Sequence, residues 1–396
     1  MFAEILLTAA IALQASNSNG CNLEQINPAT LVHLQMGNFQ AAGHTDTAKM
    51  VTTSDLSISA NGGKVLGYTR IGVRYKSCGG LRDLTKERRD ALKRFFFGKH
   101  ATKLLTLKLH VRPLDVKATK PLASIKRDSD KKGETWATEI VNDEILLPYF
   151  RVDRSSTVAI EASVESDRAY DSSLAGATLD IVQRAAALIN PTTALITTEN
   201  KERFNSAATF VDGAVNGMMA VSIDEKANSR AALDSPMQKQ TLAIITLKLP
   251  MANNTFGSTR FPMQEVGQWE VYAETYRPSM LADLTSPSPI PRNETSVASV
   301  LNYLVDDKKT IRESLAASKS LASSRDALVA ATKPDDVTNK ARTLCRAVAS
   351  EAEALGLTPV DVGAVAWAYL ADLALEPSKN SAAESGCSVV ELYPTS

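Results

Sequence analysis

The residues that most often carry catalysis are few in this chain of 396 residues. There are four histidines: His33, His44, His100 and His110. In the segment GHTDT, His44 and Asp46 are two positions apart, which would suit an acid–base pair or two ligands of a metal ion on a polar loop. The same spacing arises by chance in many sequences, so we favour an ordinary surface loop. His44 and Asp46 are therefore only weak catalytic candidates.

The signatures of the common enzyme classes are absent from the sequence. It has no GxSxG nucleophile turn, no HExxH zinc motif, no GxxxxGK[ST] phosphate loop and no GxGxxG dinucleotide fingerprint. Its carboxylates are numerous, and a glycosidase pair can be selected only from a distance in three dimensions. The sequence predicts no cofactor and no metal site, and it favours a protein that is not an enzyme.

The strongest functional signal is an uneven distribution of charge. The formal net charge is zero, yet residues 64–132 contain 20 lysines and arginines against 6 aspartates and glutamates. We call residues 64–132 the basic belt; the rest of the chain is acidic. A cationic surface attracts polyanions through its long-range potential and through the release of counterions. His110 lies among these charges and is expected to be a solvated residue of the belt.

One segment of the belt has the pattern of a short amphipathic helix. In LTKERRDALKRFFFGKH, Thr85 is placed to cap a helix that Gly98 ends. Lys86, Arg89 and Lys93 then share one side of the helix at spacings of three and four. The candidate anion-binding residues of the belt are Lys86, Arg89, Lys93, Arg82, Lys108 and Arg112. The alternative is that these charges only solvate the surface or pair with the acidic remainder of the chain.

The four cysteines are best explained as two disulfides. None lies in a CxxC pair or beside a histidine at metal-ligand spacing. Of the three possible connectivities we favour the sequence-local one, Cys21–Cys78 with Cys345–Cys387. The alternative for Cys345 is a reduced core residue, because it lies on an apolar helical face and free cysteines are commonly buried.

The first part of the chain, residues 21–276, has the patterns of a sheet protein. Polar and apolar residues alternate, as in half-buried strands, in segments 65–76, 105–112, 158–164 and 269–273. Segment 241–249 is apolar enough to be a central strand. Helical spacing of apolar residues occurs at 172–189 and 200–221. Because sheets with one wet face are usually antiparallel, we predict a strand-rich antiparallel N-terminal domain with helical insertions.

A proline-rich segment, residues 277–295, separates this domain from the rest. Proline biases its predecessor toward extended geometry, so the segment is predicted to be a semi-rigid linker that runs over the surface. The chain as a whole is then α+β, with a small all-α C-terminal helical bundle at residues 296–396.

The C-terminal part shows apolar stripes at helical spacing. One stripe runs from Val337 to Leu355 and is ended by Gly356. The next helix is expected to begin at Thr358-Pro359, with Asp361 as a carboxylate in its first turn. Another stripe includes Val297, Val300, Leu301, Leu304 and Val305, and a looser helix over residues 307–331 completes a predicted four-helix unit. A Cys345–Cys387 bridge would tie the polar tail back onto this unit.

Residues 1–20 have most of the features of a signal peptide. Ile5 to Ala15 is an apolar run, within the roughly 7–15 residues typical of a leader core and too short to cross a bilayer. The start carries Glu4 and no basic residue, which is unusual for a leader, so an N-terminal helix packed on the body is the alternative. Nothing after this run suggests a transmembrane span.

These patterns favour an exported, non-enzymatic binding or structural protein of a bacterial envelope, periplasmic or secreted. Its partner would be an anionic envelope polymer, a lipid headgroup or another envelope protein. One alternative is an exported hydrolase with a cleft in the N-terminal domain. The other, if the leader is retained, is an intracellular protein that binds nucleic acid.

Overall fold

The structure is a computed structural model, and its fold is α+β as predicted. It describes residues 31–35, 65–76, 81, 84–93, 100–167, 195–219, 229–237, 240–250, 263–281, 291–306 and 308–394.

The strands are β1 (Leu31–Gln35), β2 (Val65–Lys76), β3 (His100–Arg112), β4 (Val116–Asp130), β5 (Gly133–Ile140), β6 (Asp143–Asp153), β7 (Thr157–Asp167), β8 (Ser229–Pro236), β9 (Thr241–Pro250), β10 (Met263–Ala273), β11 (Leu304–Asp306) and β12 (Lys309–Thr310). The α-helices are α1 (Lys86–Leu92), α2 (Lys201–Met219), α3 (Val297–Leu301), α4 (Ile311–Ala316), α5 (Lys319–Ala330), α6 (Pro334–Ala354), α7 (Pro359–Asp372) and α8 (Pro377–Gly386). Short 3-10 helices cover Arg292–Glu294 and Ser388–Leu392.

Two five-stranded sheets form the N-terminal part. The first sheet has the order β1-β9-β10-β2-β6, and the second has the order β5-β4-β3-β7-β8. All neighbours pair antiparallel except β1, which is parallel to β9. The prediction that segment 241–249 is a central strand is confirmed, because β9 lies between β1 and β10.

The two sheets share one hydrophobic core. Strand β3 buries the face that carries Leu105, Leu107, Leu109 and Val111, as its alternating pattern predicts. Trp269 of β10, in the other sheet, is fully buried in the same cluster. The sheets therefore pack face to face as a sandwich.

Helix α2 covers part of the opposite face of the second sheet, and it confirms the helix predicted over residues 200–221. Its Asp212 accepts a hydrogen bond from Thr119 at 3.1 Å and pairs with Lys108 at 2.9 Å. Polar side chains therefore join the helix to the sheet. The helix predicted over residues 172–189 lies outside the described residues.

The C-terminal helices enclose a second core. The stripe predicted on α6 is buried as expected, from Val337 to Ala352. Gly356 follows the helix with φ of +89°, the left-handed conformation that favours glycine after a helix. Within the described residues, no helix combines the length and the apolar character that a membrane span needs.

The single helix predicted over residues 307–331 is wrong. Strands β11 and β12 form a hairpin there, followed by two separate helices, α4 and α5. Thr310 and Glu313 form a reciprocal capping box that begins α4, and Ser318 caps α5. Local hydrogen bonds from these side chains therefore divide a segment whose apolar spacing alone suggested one helix.

Asp361 is a carboxylate in the first turn of α7, as predicted, but it does not lie at the surface. It is fully buried, and its carboxylate accepts hydrogen bonds from the hydroxyl of Ser279 and, at 2.9 Å, from the backbone N–H of Met280. Thr358 is the N-cap residue of α7, but its hydroxyl donates to the carbonyl of Pro278 at 2.7 Å instead of capping the helix. Both residues serve contacts between the two parts of the chain.

The same contacts correct the description of the linker. Ser279 and Met280 are 3% and 2% exposed, so this end of the segment is buried rather than on the surface. Tyr68 of β2 is also fully buried, and its hydroxyl accepts from the backbone N–H of Thr358 at 2.7 Å. The second core thus includes residues of the first sheet. Residues 282–290 lie outside the described residues.

Candidate anion-binding surface

Several candidate residues lie outside the part of the chain that the structure describes. They are His44, Asp46, Arg82, Cys21 and Cys78. The possible acid–base pair and the possible Cys21–Cys78 bridge both stay predictions.

Helix α1 presents the three basic residues predicted to share one side. It spans Lys86–Leu92, and the backbone N–H of Lys93 continues the helical pattern by donating to Arg89 at 2.9 Å. Leu92 is fully buried in the sandwich core, so the helix is fixed by its apolar side. Lys86 and Lys93 are exposed and Arg89 is half-buried.

Lys93 takes part in a cluster of ion pairs centred on Glu134 of β5. Its ammonium lies 2.8 Å from Glu134 and 2.9 Å from Asp90, and Arg127 of β4 also contacts Glu134. Burial would raise the pKa of Glu134, but hydrogen bonds from Lys93 and Arg127 outweigh it and lower that pKa. The carboxylates also raise the pKa of Lys93. Lys93 therefore stays protonated, and its charge is balanced by the neighbouring carboxylates of the protein.

Two further lysines lie beside this cluster in the turn between β4 and β5. The Asp130 carboxylate accepts from the backbone N–H of Lys132 at 2.8 Å and from that of Gly133 at 3.0 Å. Gly133 has φ of +143°, which the tight turn requires. Lys131 and Lys132 are exposed, and Lys132 is two residues from Glu134, about 7 Å along the strand.

We define the α1 patch as Lys86, Arg89, Lys131 and Lys132. None of these four side chains forms an ion pair with the residues that the structure describes. Together with Lys93 and Arg127 they outnumber the nearby carboxylates of Asp90, Asp130 and Glu134. This end of the second sheet therefore keeps an excess of positive charge.

Lys108 and Arg112 lie at the other end of the same sheet. Glu134 is paired with Ser129 near the end of β4. Arg112 lies next to the start of β4, at Val116. Val116 and Ser129 are thirteen residues apart, or about 40 Å along the strand. Lys108 is paired with Asp212 on α2. Arg112 is exposed. The described candidates are thus divided between two separate surfaces.

His110 lies near Arg112 and has a defined partner. Its Nε2 is 2.7 Å from the Asp115 carboxylate, in the turn that follows β3. This hydrogen bond lowers the pKa of Asp115. His110 thus ties strand β3 to the turn after it, and the hydrogen bond lies in an exposed position.

Several other residues of the basic belt are paired with acidic residues. Among the described residues, short ion pairs join Arg70 to Glu274 (2.6 Å), Lys76 to Glu270 (2.8 Å), Lys120 to Glu144 (2.5 Å) and Lys126 to Asp128 (3.1 Å). The belt therefore carries much less free charge than its composition suggests, which favours the alternative of pairing for these residues.

The structure joins Cys345 of α6 to Cys387, which follows α8, the pair that the sequence analysis prefers. Their Cα atoms are 5.6 Å apart, and both residues are buried. The bridge holds the C-terminal segment against α6.

Sequence analysis did not select Lys131, Lys132 or the Glu134 cluster. The segment DKKG between two polar strands is the signal that could have indicated them, because Asp and Gly mark a hairpin turn.

The chain was compared with known protein families, with curated proteins and with solved structures. None of them matches. Its function is therefore inferred from its own side chains.

Proposed function

We propose that the protein is an exported, non-enzymatic binding protein of a bacterial envelope that holds an anionic polymer at the α1 patch. The observation that carries this proposal is the group of four cations on helix α1 and the β4–β5 turn, which form no ion pairs among the described residues. Elsewhere in the belt, many cations are neutralised by neighbouring carboxylates.

The support beneath the α1 patch favours binding with little rearrangement. Buried Leu92 fixes the helix, Lys93 and Glu134 join the helix to β5, and Asp130 fixes the turn. A preorganised surface loses less conformational entropy when it binds a ligand.

A polymer suits this surface better than a single small anion does. Lys86 and Arg89 are three residues apart, about 5 Å along a helix, and the two lysines of the β4–β5 turn extend the patch further. The Debye length at physiological salt is about 8 Å, so a ligand must bring its charges close to each cation. A chain with repeated carboxylates or sulfates can do this at several positions at once.

The Cys345–Cys387 bridge supports the export part of the proposal, because stable disulfides are typical of oxidising compartments. Intact mass and N-terminal sequencing of the protein from its host test this part separately. A mature N-terminus near Ser16 is expected, and retention of Met1 would contradict export.

The binding part is tested with heparin as the probe polyanion. Lys86, Arg89, Lys131 and Lys132 are replaced together by glutamine, and affinity is measured over a series of salt concentrations. The logarithm of the affinity falls as the logarithm of the salt concentration rises, and the steepness of this line counts the released counterions. The line should be shallower in the variant, with the magnitude of its slope smaller by about three. Lys93 is left unchanged, because its loss would expose the charges of Asp90 and Glu134.

A charge-matched control is available on the C-terminal helices. Lys319, Lys333, Lys340 and Arg346 are exposed, and their replacement by glutamine removes the same formal charge. The control should keep the heparin affinity and salt slope of the original protein. Equal losses in both variants would mean that only net charge matters, and the α1 patch would then not be the binding surface.

A further inference from the structure

A polar cleft lies on the outer face of the first sheet, away from the α1 patch. Its volume is about 350 Å³. On β2, Ile71 and Val73 point into the sandwich core, so Arg70, Gly72 and Arg74 between and beside them face outward. On β10, Glu270 and Tyr272 face outward for the same reason. Of these residues Arg74, Glu270 and Tyr272 line the cleft, together with Gln240 and the segment from Ala273 to Arg277.

Close packing of Tyr272 on Gly72 shapes the floor. The two residues are directly opposite each other in the pairing of β2 with β10. A Cβ atom on Gly72 would lie 2.6 Å from the Tyr272 ring, so only glycine lets the ring lie across the strand. The guanidinium of Arg74 then stacks over this ring, 4.7 Å from its centre. The glycine thus helps to set the position of Arg74.

The two carboxylates of the cleft have cationic partners of their own. Glu270 pairs with Lys76 at 2.8 Å and accepts a hydrogen bond from Thr241 at 2.7 Å. Burial would raise the pKa of Glu270, but these contacts outweigh it and lower that pKa. Glu274 pairs with Arg70 at 2.6 Å and also accepts a hydrogen bond from a tyrosine hydroxyl.

Two arginines of the cleft have weak carboxylate contacts or none. Arg74 lies 3.9 Å from Glu270 and 4.0 Å from Asp143, and half of its side chain is exposed. Arg277 forms no ion pair with the described residues, and its guanidinium stacks 5.3 Å from the centre of the Tyr149 ring. Both guanidinium groups therefore keep donors for an incoming anion.

The two arginines lie at opposite ends of the cleft. Arg277 pairs with Tyr68 through the backbone, and Tyr68 is six residues from Arg74 along β2. At about 3.3 Å per residue this is about 20 Å between backbone positions. The Arg74 guanidinium lies nearer than its backbone does, because it stacks over the Tyr272 ring opposite Gly72.

We propose that this cleft binds a small, extended polar molecule with a carboxylate or phosphate group at each end. A guanidinium can bind either group through two parallel hydrogen bonds, and the volume is within the range of small-molecule sites. Between the two ends, Gln240, Glu270 and Glu274 line the cleft and can accept hydrogen bonds from hydroxyl or ammonium groups of the ligand. The proposal is independent of the α1 patch, because it uses none of the residues of that patch.

The test is isothermal titration calorimetry at low salt and neutral pH. The probes are acetate, inorganic phosphate, succinate and the longer dicarboxylate pimelate. At least one dicarboxylate should bind more tightly than acetate, because it can reach both arginines. Arg74→Gln and Arg277→Gln should each weaken this binding about tenfold or more. Arg346→Gln, at an exposed position on α6, is the matched control and should change nothing.

Two further variants separate geometry from charge. Arg277→Lys keeps the charge but removes the guanidinium fork, so affinity should fall although net charge is constant. Gly72→Ala keeps every charge but displaces the Tyr272 ring and with it Arg74, so affinity should also fall. Circular dichroism and thermal unfolding check that each variant is folded.

Phosphate binding that is lost in the arginine variants would assign a phosphate ligand, and dicarboxylate binding lost in them would assign a carboxylate ligand. Either result supports the site. Absence of binding by every probe at millimolar concentration, or binding that neither Arg74→Gln nor Arg277→Gln weakens, would overturn the proposal. Heparin binding is expected to be normal in both variants, which keeps this outcome separate from that of the α1 patch.

Discussion

Replacing Asp361 with asparagine should change the way in which stability depends on pH. The Asp361 carboxyl is fully buried where the two parts of the chain meet, and burial raises its pKa from an ordinary value of 3.8 to about 6. Hydrogen bonds from Ser279, Met280 and Tyr68 act in the opposite direction and are outweighed. Asparagine has the same size and keeps one acceptor, but it does not titrate.

The magnitude follows from the gap between the two pKa values. Between pH 3.8 and about 6 the folded protein keeps a proton that the unfolded chain releases. The free energy of unfolding therefore falls as pH rises through this window. At about 1.4 kcal/mol for each pH unit, the total loss is about 3 kcal/mol.

Urea unfolding over a series of pH values measures this difference. Other titrating groups contribute equally to both proteins, so the original protein should lose about 3 kcal/mol relative to Asp361→Asn between about pH 3 and pH 7. Ser279→Ala removes a hydrogen bond that lowers the Asp361 pKa, so it should extend the window to higher pH. Parallel pH profiles for the original protein and Asp361→Asn would refute this description of the buried carboxyl.

Three variants of the C-terminal part test the packing there. Replacing Cys345 and Cys387 together by alanine should lower the free energy of unfolding by about 4 kcal/mol, since the bridge closes a loop of 42 residues. If alkylation without reductant labels Cys345 in the original protein, the bridge is contradicted. Gly356→Ala should cost about 1 kcal/mol in urea unfolding, because φ is +89° there, and an unchanged midpoint would contradict the left-handed cap. Gly386→Ala should lower the melting temperature further, because the new Cβ would lie 2.3 Å from the Thr338 carbonyl, and a neutral effect would contradict this close approach.

Apolar periodicity predicted most of the elements that form the two cores. The alternation of Leu105, Leu107 and Leu109 indicated both a strand and its buried face, and the stripe on α6 did the same for a helix. These patterns are local and follow directly from the periods of strands and helices. Strands β4 and β5 were not predicted, because they contain many polar residues and show little alternation of polar and apolar positions.

Charge pairing was beyond the reach of sequence patterns. Lys93 pairs with Glu134, and Lys108 pairs with Asp212 more than a hundred positions away. Only the pairing of strands and the position of α2 bring these residues together. From the sequence, the basic belt was therefore expected to form one cationic face. In the structure, those of its candidate anion-binding residues that are described lie on two separate surfaces.

Asp361 shows the same limit for burial. A carboxylate in the first turn of a helix normally faces solvent and interacts with the helix dipole. Here the chain at Ser279-Met280 covers it and supplies the hydrogen bonds. No spacing in the sequence indicates a contact between segments eighty residues apart.

The measurement that tests the proposed function most directly is the affinity for heparin of two variants with equal formal charge. One variant lacks Lys86, Arg89, Lys131 and Lys132, and the other lacks four exposed cations of the C-terminal helices. We expect the first to bind at least about tenfold more weakly than the second at low salt, with a shallower salt dependence. Equal affinities, or an original protein that does not bind heparin even at low salt, would contradict the proposed binding surface.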